Sequence, residues 1–140
     1  MRSKVFLTLM AAAVIAVGVA ATQAWAHGGT APVYRTSSHT CAGGATDTVD
    51  QAGHVSLSES GSTLSGSVAL TGVARYASFT ITLVQNHPCT SSVVGTLKTD
   101  GKGNGTMSFH TTAARGTTQA FVLTSHDNHE LASTPVAYGP

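Results

Sequence analysis

The chain has 140 residues, of which only 9% are charged, and its seven Lys and Arg residues against six Asp and Glu residues give a formal net charge of +1. This balance excludes the dense positive surface by which proteins bind nucleic acids or anionic membranes. The abundance of Ser, Thr, Gly and Val disfavours helices and is typical of short strands joined by turns.

The N-terminus has the three parts of a cleavable export signal. Arg2 and Lys4 form a short positive region, and residues 5–21 form an uncharged, mostly apolar run. The run is slightly short for a membrane span, which needs about 20 residues, and small residues follow it directly. The residues that define the predicted cleavage site are Ala24, Ala26 and His27.

Cleavage would remove residues 1–26 as a signal peptide and leave residues 27–140 as a single domain. Five basic and six acidic residues remain in the mature part, together with all seven histidines. We therefore expect a secreted or cell-envelope protein that has no membrane segment after cleavage and no nucleic-acid partner.

The mature chain begins with little periodicity. Glycines and Pro32 interrupt residues 27–50, and we expect an irregular segment with a short strand over residues 33–36. Order then increases, because apolar residues alternate with serines over residues 55–57 and again over 64–70, on either side of Gly61. This pattern predicts a hairpin with one apolar face and one hydroxyl-bearing face.

Further strands follow at short, turn-punctuated intervals. Phe79, Ile81 and Leu83 alternate with threonines and give the clearest half-buried strand in the sequence. The other predicted strands cover residues 93–99, 106–112, 119–125 and 135–138. Six or seven short strands without a helical period predict an all-β protein, an antiparallel, immunoglobulin-like β-sandwich.

Several of these segments carry a resemblance to known proteins. Residues 70–72, 79–85, 94–100 and 103–105 look like a group of small secreted bacterial β-sandwich proteins, most of which have no assigned activity. The strand-turn-strand around Asp100 also resembles the neocarzinostatin-type chromophore-carrying apoproteins, which are immunoglobulin-like. Those carriers have a second disulfide that this chain cannot form, so the resemblance implies the fold and not chromophore carriage.

Cys41 and Cys89 are the only cysteines, and export would place them in an oxidising compartment. An isolated pair in that setting predicts one disulfide, which would pin residues 27–50 to the body of the domain. Two free thiols or a thiolate metal site are the alternatives.

Histidines flank both cysteines and suggest a metal site. His39 and His87 each lie two residues before a cysteine, so a disulfide would hold both imidazoles in one neighbourhood. Two neutral imidazoles are the beginning of a copper or zinc site, and reduced cysteines would complete a Cys2His2 zinc set. The alternative interpretation is two exposed loop histidines beside a structural disulfide.

Two further histidine patterns belong to the same hypothesis. Cleavage before His27 would create an N-terminal amine beside an imidazole, which resembles the copper-binding histidine brace of secreted copper chaperones and lytic polysaccharide monooxygenases. The favoured alternative is a disordered N-terminal His-Gly-Gly. The run from His126 to Glu130 includes His129 and two carboxylates, and it suits either a cation or a solvated turn, of which the turn is favoured.

Residues 100–105 begin like a calcium loop, but Lys102 replaces a ligand and a hairpin turn is the better interpretation.

The sequence contains neither Gly-x-Ser-x-Gly nor His-Glu-x-x-His, and its acidic residues are scattered through turns. We therefore expect a non-enzymatic binding or structural module with no cofactor. Its partner would be an extracellular protein, a glycan or a small molecule. The alternative is an extracytoplasmic copper- or zinc-binding protein that uses His27, His39, His87, His126 and His129.

Overall fold

The computed structural model describes residues 27–86 and 89–138, apart from the side chain of His27. The predictions made for residues 1–26, including Ala24 and Ala26, and for His87 lie outside the described residues. The described part of the chain is all-β, and it contains no helix long and apolar enough to cross a membrane.

Eleven strands are found in the described residues, and eight of them have five residues or more. In chain order they are β1 (His27–Tyr34), β2 (His39–Thr40), β3 (Gly44–Ala45), β4 (Gln51–Ser60), β5 (Thr63–Leu70), β6 (Ser78–Gln85), β7 (Thr90–Lys98), β8 (Gly105–Thr112), β9 (Gln119–His126), β10 (His129–Ser133) and β11 (Val136–Ala137).

Nine of these strands form one antiparallel sheet in the order β7-β6-β9-β10-β1-β4-β5-β8, with β11 beside β9. The half made of β7, β6, β9 and β10 faces the half made of β1, β4, β5 and β8 across one apolar core. The edge strands β7 and β8 contact each other, which nearly closes the sandwich into a barrel. The predicted all-β antiparallel sandwich is confirmed.

Alternation along the strands builds the core. Phe79, Ile81 and Leu83 of β6 are at most 2% exposed, and the threonines between them point outward. Val55 and Leu57 of β4 meet them from the opposite half of the sheet. Burying each such side chain contributes roughly 1.5 to 3 kcal/mol, which is why the period of two is visible in the sequence.

The first strand differs from the prediction of an irregular segment over residues 27–50. Residues 27–34 are extended throughout and pair with β4 on one side and β10 on the other. Glycine and Pro32 lower the intrinsic strand propensity here, and tertiary pairing overrides it. A side chain on Gly28 would collide with the Leu57 carbonyl, so glycine is what allows β1 to approach β4 so closely.

Residues 35–50, which we call the crossing segment, leave β1 and pass over the outer surface of the sheet before β4 begins. They contain the small β2–β3 pair. Phe121 of β9 points away from the core, and Gly44 of the crossing segment lies against its ring. The Ala42 carbonyl accepts a hydrogen bond of 2.7 Å from the Gln119 side chain. The segment is therefore packed against the sheet.

A disulfide joins the crossing segment to the start of β7. Cys41 and Cys89 are bonded with their Cα atoms 6.0 Å apart, which confirms the predicted pairing. The bond removes both thiolates as metal ligands, so the Cys2His2 zinc alternative is wrong. It also indicates an oxidising, extracytoplasmic environment.

A buried polar network fixes the C-terminal end of the described chain. The hydroxyl of Tyr138, which is 1% exposed, lies 2.8 Å from Thr117 Oγ1 and 3.1 Å from Gln85 Oε1. Gln85 Oε1 also accepts the backbone N–H of Ala114 at 2.7 Å. These contacts connect β6, the β8–β9 connection and the segment that follows β11.

Candidate functional site

One end of the sandwich contains a cavity of about 440 Å³, which we call the end cavity. Three separate parts of the chain surround it: the crossing segment, the β5–β6 connection over residues 71–77 and the β9–β10 turn. Its volume lies within the range of about 300 to 1,000 Å³ that is usual for small-molecule pockets.

The floor of the end cavity is apolar. Phe79 and Leu131 belong to the hydrophobic core, are 2% and 5% exposed, and line the cavity from β6 and β10. Val73 and Ala74 of the β5–β6 connection add apolar surface at the side. Displacement of water from such a floor by an apolar group lowers the free energy of the system.

Arg35 holds the wall of the cavity together. One guanidinium nitrogen, Nη1, donates to Asp50 Oδ1 at 2.8 Å and to the Gln51 carbonyl at 3.0 Å. The other, Nη2, donates to the carbonyls of Thr71 at 3.2 Å and Gly72 at 2.9 Å. The planar fork of arginine satisfies these four acceptors at once, and it joins β4 and the β5–β6 connection to the end of β1.

Glu130 and His39 form the main polar pair at the rim. His39 Nδ1 lies 3.3 Å from Glu130 Oε1 and 3.1 Å from the Ser37 carbonyl, so a proton on Nδ1 is donated toward two acceptors. The two side chains are 30% and 33% exposed. The His39 ring also packs against Phe121, with ring centroids 5.9 Å apart. This pair attaches the crossing segment to β10.

The predicted turn over residues 126–130 is confirmed in its centre. Asp127 and Asn128 form a two-residue connection in which Asp127 has a φ of 53°, a left-handed conformation that Asp and Asn tolerate. His126 and His129 are the last residue of β9 and the first of β10, and they are cross-strand partners. The turn thereby presents Asn128 and His129 at the end cavity.

His126 lies behind the cavity floor. Its ring packs against Phe79 with centroids 5.2 Å apart, and its Nδ1 is 3.1 Å from the Ser78 carbonyl. Of the histidines proposed as metal ligands, the structure therefore brings His39, His126 and His129 to the neighbourhood of one cavity. It does not assemble them into a ligand set.

Across residues 27–86 and 89–138, no group of three or more His, Cys, Asp or Glu side chains is placed to hold one metal ion. The side chain of His27 and the whole of His87 lie outside the described residues. The copper or zinc alternative therefore stays a prediction.

Residues 100–104 form a tight turn, as the sequence favoured over a calcium loop. The prediction of a hairpin is wrong, because β7 pairs with β6 and β8 pairs with β5. Asp100 Oδ1 accepts the backbone N–H groups of Lys102 at 2.8 Å and Asn104 at 3.0 Å. These hydrogen bonds, chiefly the one from Asn104, hold the pKa of the Asp100 carboxyl below its ordinary value of 3.8. The carboxylate is thus engaged by its own turn.

Comparison of the chain with family models, curated proteins and solved structures gave no match. The geometry of the end cavity is consequently the main basis for a functional proposal. Arg35, Val73 and Phe79 were not predicted as site residues, since none of them belongs to a local motif.

Proposed function

We propose that the protein is a secreted, non-enzymatic binding module that takes a small amphipathic molecule into the end cavity. The observation that carries the proposal is the combination of a buried apolar floor, Phe79 and Leu131, with a rim of polar side chains. Ligand sites are typically concave and mostly apolar, with a few polar groups that fix the orientation of the ligand.

The cavity favours a small molecule over the protein and glycan partners that the composition left open. A concave site of about 440 Å³ matches the size of a small ligand, whereas a protein partner usually requires a broad and flatter surface. The four hydrogen bonds of Arg35 to its neighbours also support a binding role, because they hold the cavity wall in a defined shape.

Two features support a location outside the cytoplasm. The Cys41–Cys89 bond is stable in an oxidising compartment. The sequence of residues 1–26 has the order of charge, apolar run and small residues that export requires. Secretion is tested by the N-terminal residue of the protein recovered from the culture medium, which is expected to be His27.

The binding proposal is tested with 2-phenylethanol as a neutral amphipathic probe, titrated into ¹⁵N-labelled protein and followed by NMR. We expect saturable shifts at the amides of residues 72–74 and 128–131. The variant Ala74→Trp fills the cavity from its side and should abolish these shifts. Ala137→Trp adds the same bulk at an exposed position in β11 and should preserve them. Shifts that persist equally in both variants, or none in the wild type, would overturn the proposal.

A further inference from the structure

We infer that the end cavity selects a cationic ligand, a protonated amine carried on an apolar body. The inference rests on the proposed binding function and specifies its ligand class. It follows from the charged and polar groups around the cavity, which differ in how many further hydrogen bonds or ion pairs each can make.

The positive charge at the cavity is already compensated. Arg35 lies 2.8 Å from the Asp50 carboxylate, and both of its terminal nitrogens donate to neighbouring acceptors. An anionic ligand would have to compete with these contacts to reach the guanidinium. Arg35 therefore shapes the wall and offers little to a negative group.

Glu130, a carboxylate that lines the cavity, can accept further hydrogen bonds. A carboxylate has two oxygens and about four lone-pair sites, and His39 engages Glu130 through one oxygen, Oε1. Arg35 and Glu130 are the charged residues that line the cavity, and Asp50 already compensates Arg35, so the Glu130 carboxylate is the charge that remains available to a ligand. A cation is the electrostatic complement of this arrangement.

The remaining rim groups also suit a donor-rich ligand. The Asn128 amide oxygen, the Ser37 hydroxyl and a neutral His129 ring can all accept hydrogen bonds, and all three residues line the cavity. An ammonium group has three N–H donors and no acceptor. Its apolar body would lie on Phe79 and Leu131, away from water.

The test compares three probes with the same ring: 2-phenylethylamine, 2-phenylethanol and phenylacetate. Their dissociation constants are measured by NMR titration near neutral pH on the wild type and on Glu130→Gln. We expect the amine to bind the wild type about tenfold more tightly than the alcohol, because a charge-assisted hydrogen bond is stronger than a neutral one. Phenylacetate should be the weakest of the three.

Glu130→Gln should reduce amine affinity to about that of the alcohol, and an amide NMR spectrum dispersed like that of the wild type shows that the variant is folded. The matched control Glu59→Gln removes the same charge from the far end of β4 and should keep the preference for the amine. Alcohol binding without an amine preference, or a preference that survives Glu130→Gln, would overturn this inference and leave the binding function standing. Failure of all three probes to bind would overturn both.

Discussion

Arg35 and Gly72 are 37 residues apart in the chain, and the guanidinium of Arg35 donates a hydrogen bond of 2.9 Å to the Gly72 carbonyl. The same side chain reaches Asp50 and Gln51 at the start of β4. The end cavity has a defined wall because one arginine joins three segments that no local sequence pattern connects.

Arg35→Lys should weaken both the fold and the cavity. An ammonium cannot satisfy four acceptors arranged around a planar fork, so we expect a loss of about 1 to 2 kcal/mol in the free energy of unfolding. The urea midpoint measures this loss, and the affinity for 2-phenylethanol should fall with it. Arg115→Lys, at an exposed position in the β8–β9 connection, is the control and should change stability by less than about 0.5 kcal/mol. Equal effects of the two substitutions would contradict the role of Arg35.

Removing the disulfide with Cys41→Ser and Cys89→Ser together should lower the free energy of unfolding substantially. The two cysteines are 48 residues apart, and closing a loop of that length contributes up to roughly 4 kcal/mol in the chain-entropy model. Hydrogen exchange should increase first in residues 35–50, which the bond fastens to β7. A loss below about 1 kcal/mol, or exchange that rises evenly over the domain, would contradict this prediction. It would show that the other contacts are sufficient to hold the crossing segment against the sheet.

Tyr138→Phe should destabilise the domain by about 1 to 2 kcal/mol, because it removes a buried hydroxyl that lies within hydrogen-bond reach of Thr117 and Gln85. Tyr76→Phe deletes the same hydroxyl from a residue that is 82% exposed, and it should leave the stability nearly unchanged. Thermal unfolding of the two variants beside the wild type makes the comparison. Identical melting temperatures for all three would refute the network.

The pH dependence of Tyr138 has a definite sign. Burial raises the pKa of Tyr138 above its ordinary value of 10.0, so the folded state holds the phenolic proton more tightly than the unfolded state does. Its contribution to stability is fully present below a pH of about 10 and is lost as the pH rises through the folded pKa. The wild type should therefore lose stability in strong alkali more steeply than Tyr138→Phe.

Asp100→Asn should show the opposite pH behaviour. Backbone N–H groups of Asn104 and Lys102 lower the pKa of the Asp100 carboxyl, so its stabilising effect is present above the unfolded pKa and lost as the pH falls through the folded pKa. The wild type should be more stable than the variant near neutral pH, and this difference should shrink below a pH of about 4. Urea midpoints at several pH values measure it. A difference that stays constant into acid would contradict the assigned hydrogen bonds.

The strands with strict alternation could be predicted from the sequence. Phe79, Ile81 and Leu83 predict β6, and the apolar residues that alternate with serines predict the β4–β5 hairpin. In a half-buried strand every second side chain faces the core, so the apolar residues repeat every two positions. Among the strands of five residues or more, β10 was not predicted, and β1 was predicted only at its end by the short strand expected over residues 33–36. β1 contains Gly28, Gly29 and Pro32, and β10 begins inside a polar run, so both owe their structure to pairing with distant strands.

The candidate site was only partly predictable. The histidines around the β9–β10 turn were identified by their density, and the disulfide by the oxidising compartment that export implies. The cavity itself depends on Arg35 reaching Gly72, and on Phe79 of β6 and Leu131 of β10 lining the same space. These are tertiary relationships between residues of ordinary type, and no spacing along the chain encodes them.

The end cavity as the ligand site is tested most directly by intermolecular NOEs between 2-phenylethanol and ¹³C-labelled mature protein with its disulfide intact. We expect NOEs from the protons of the probe ring to the side chains of Phe79 and Leu131, and we expect them to be lost in Ala74→Trp. NOEs confined to side chains elsewhere on the sandwich, or none at a saturating probe concentration, would contradict this expectation.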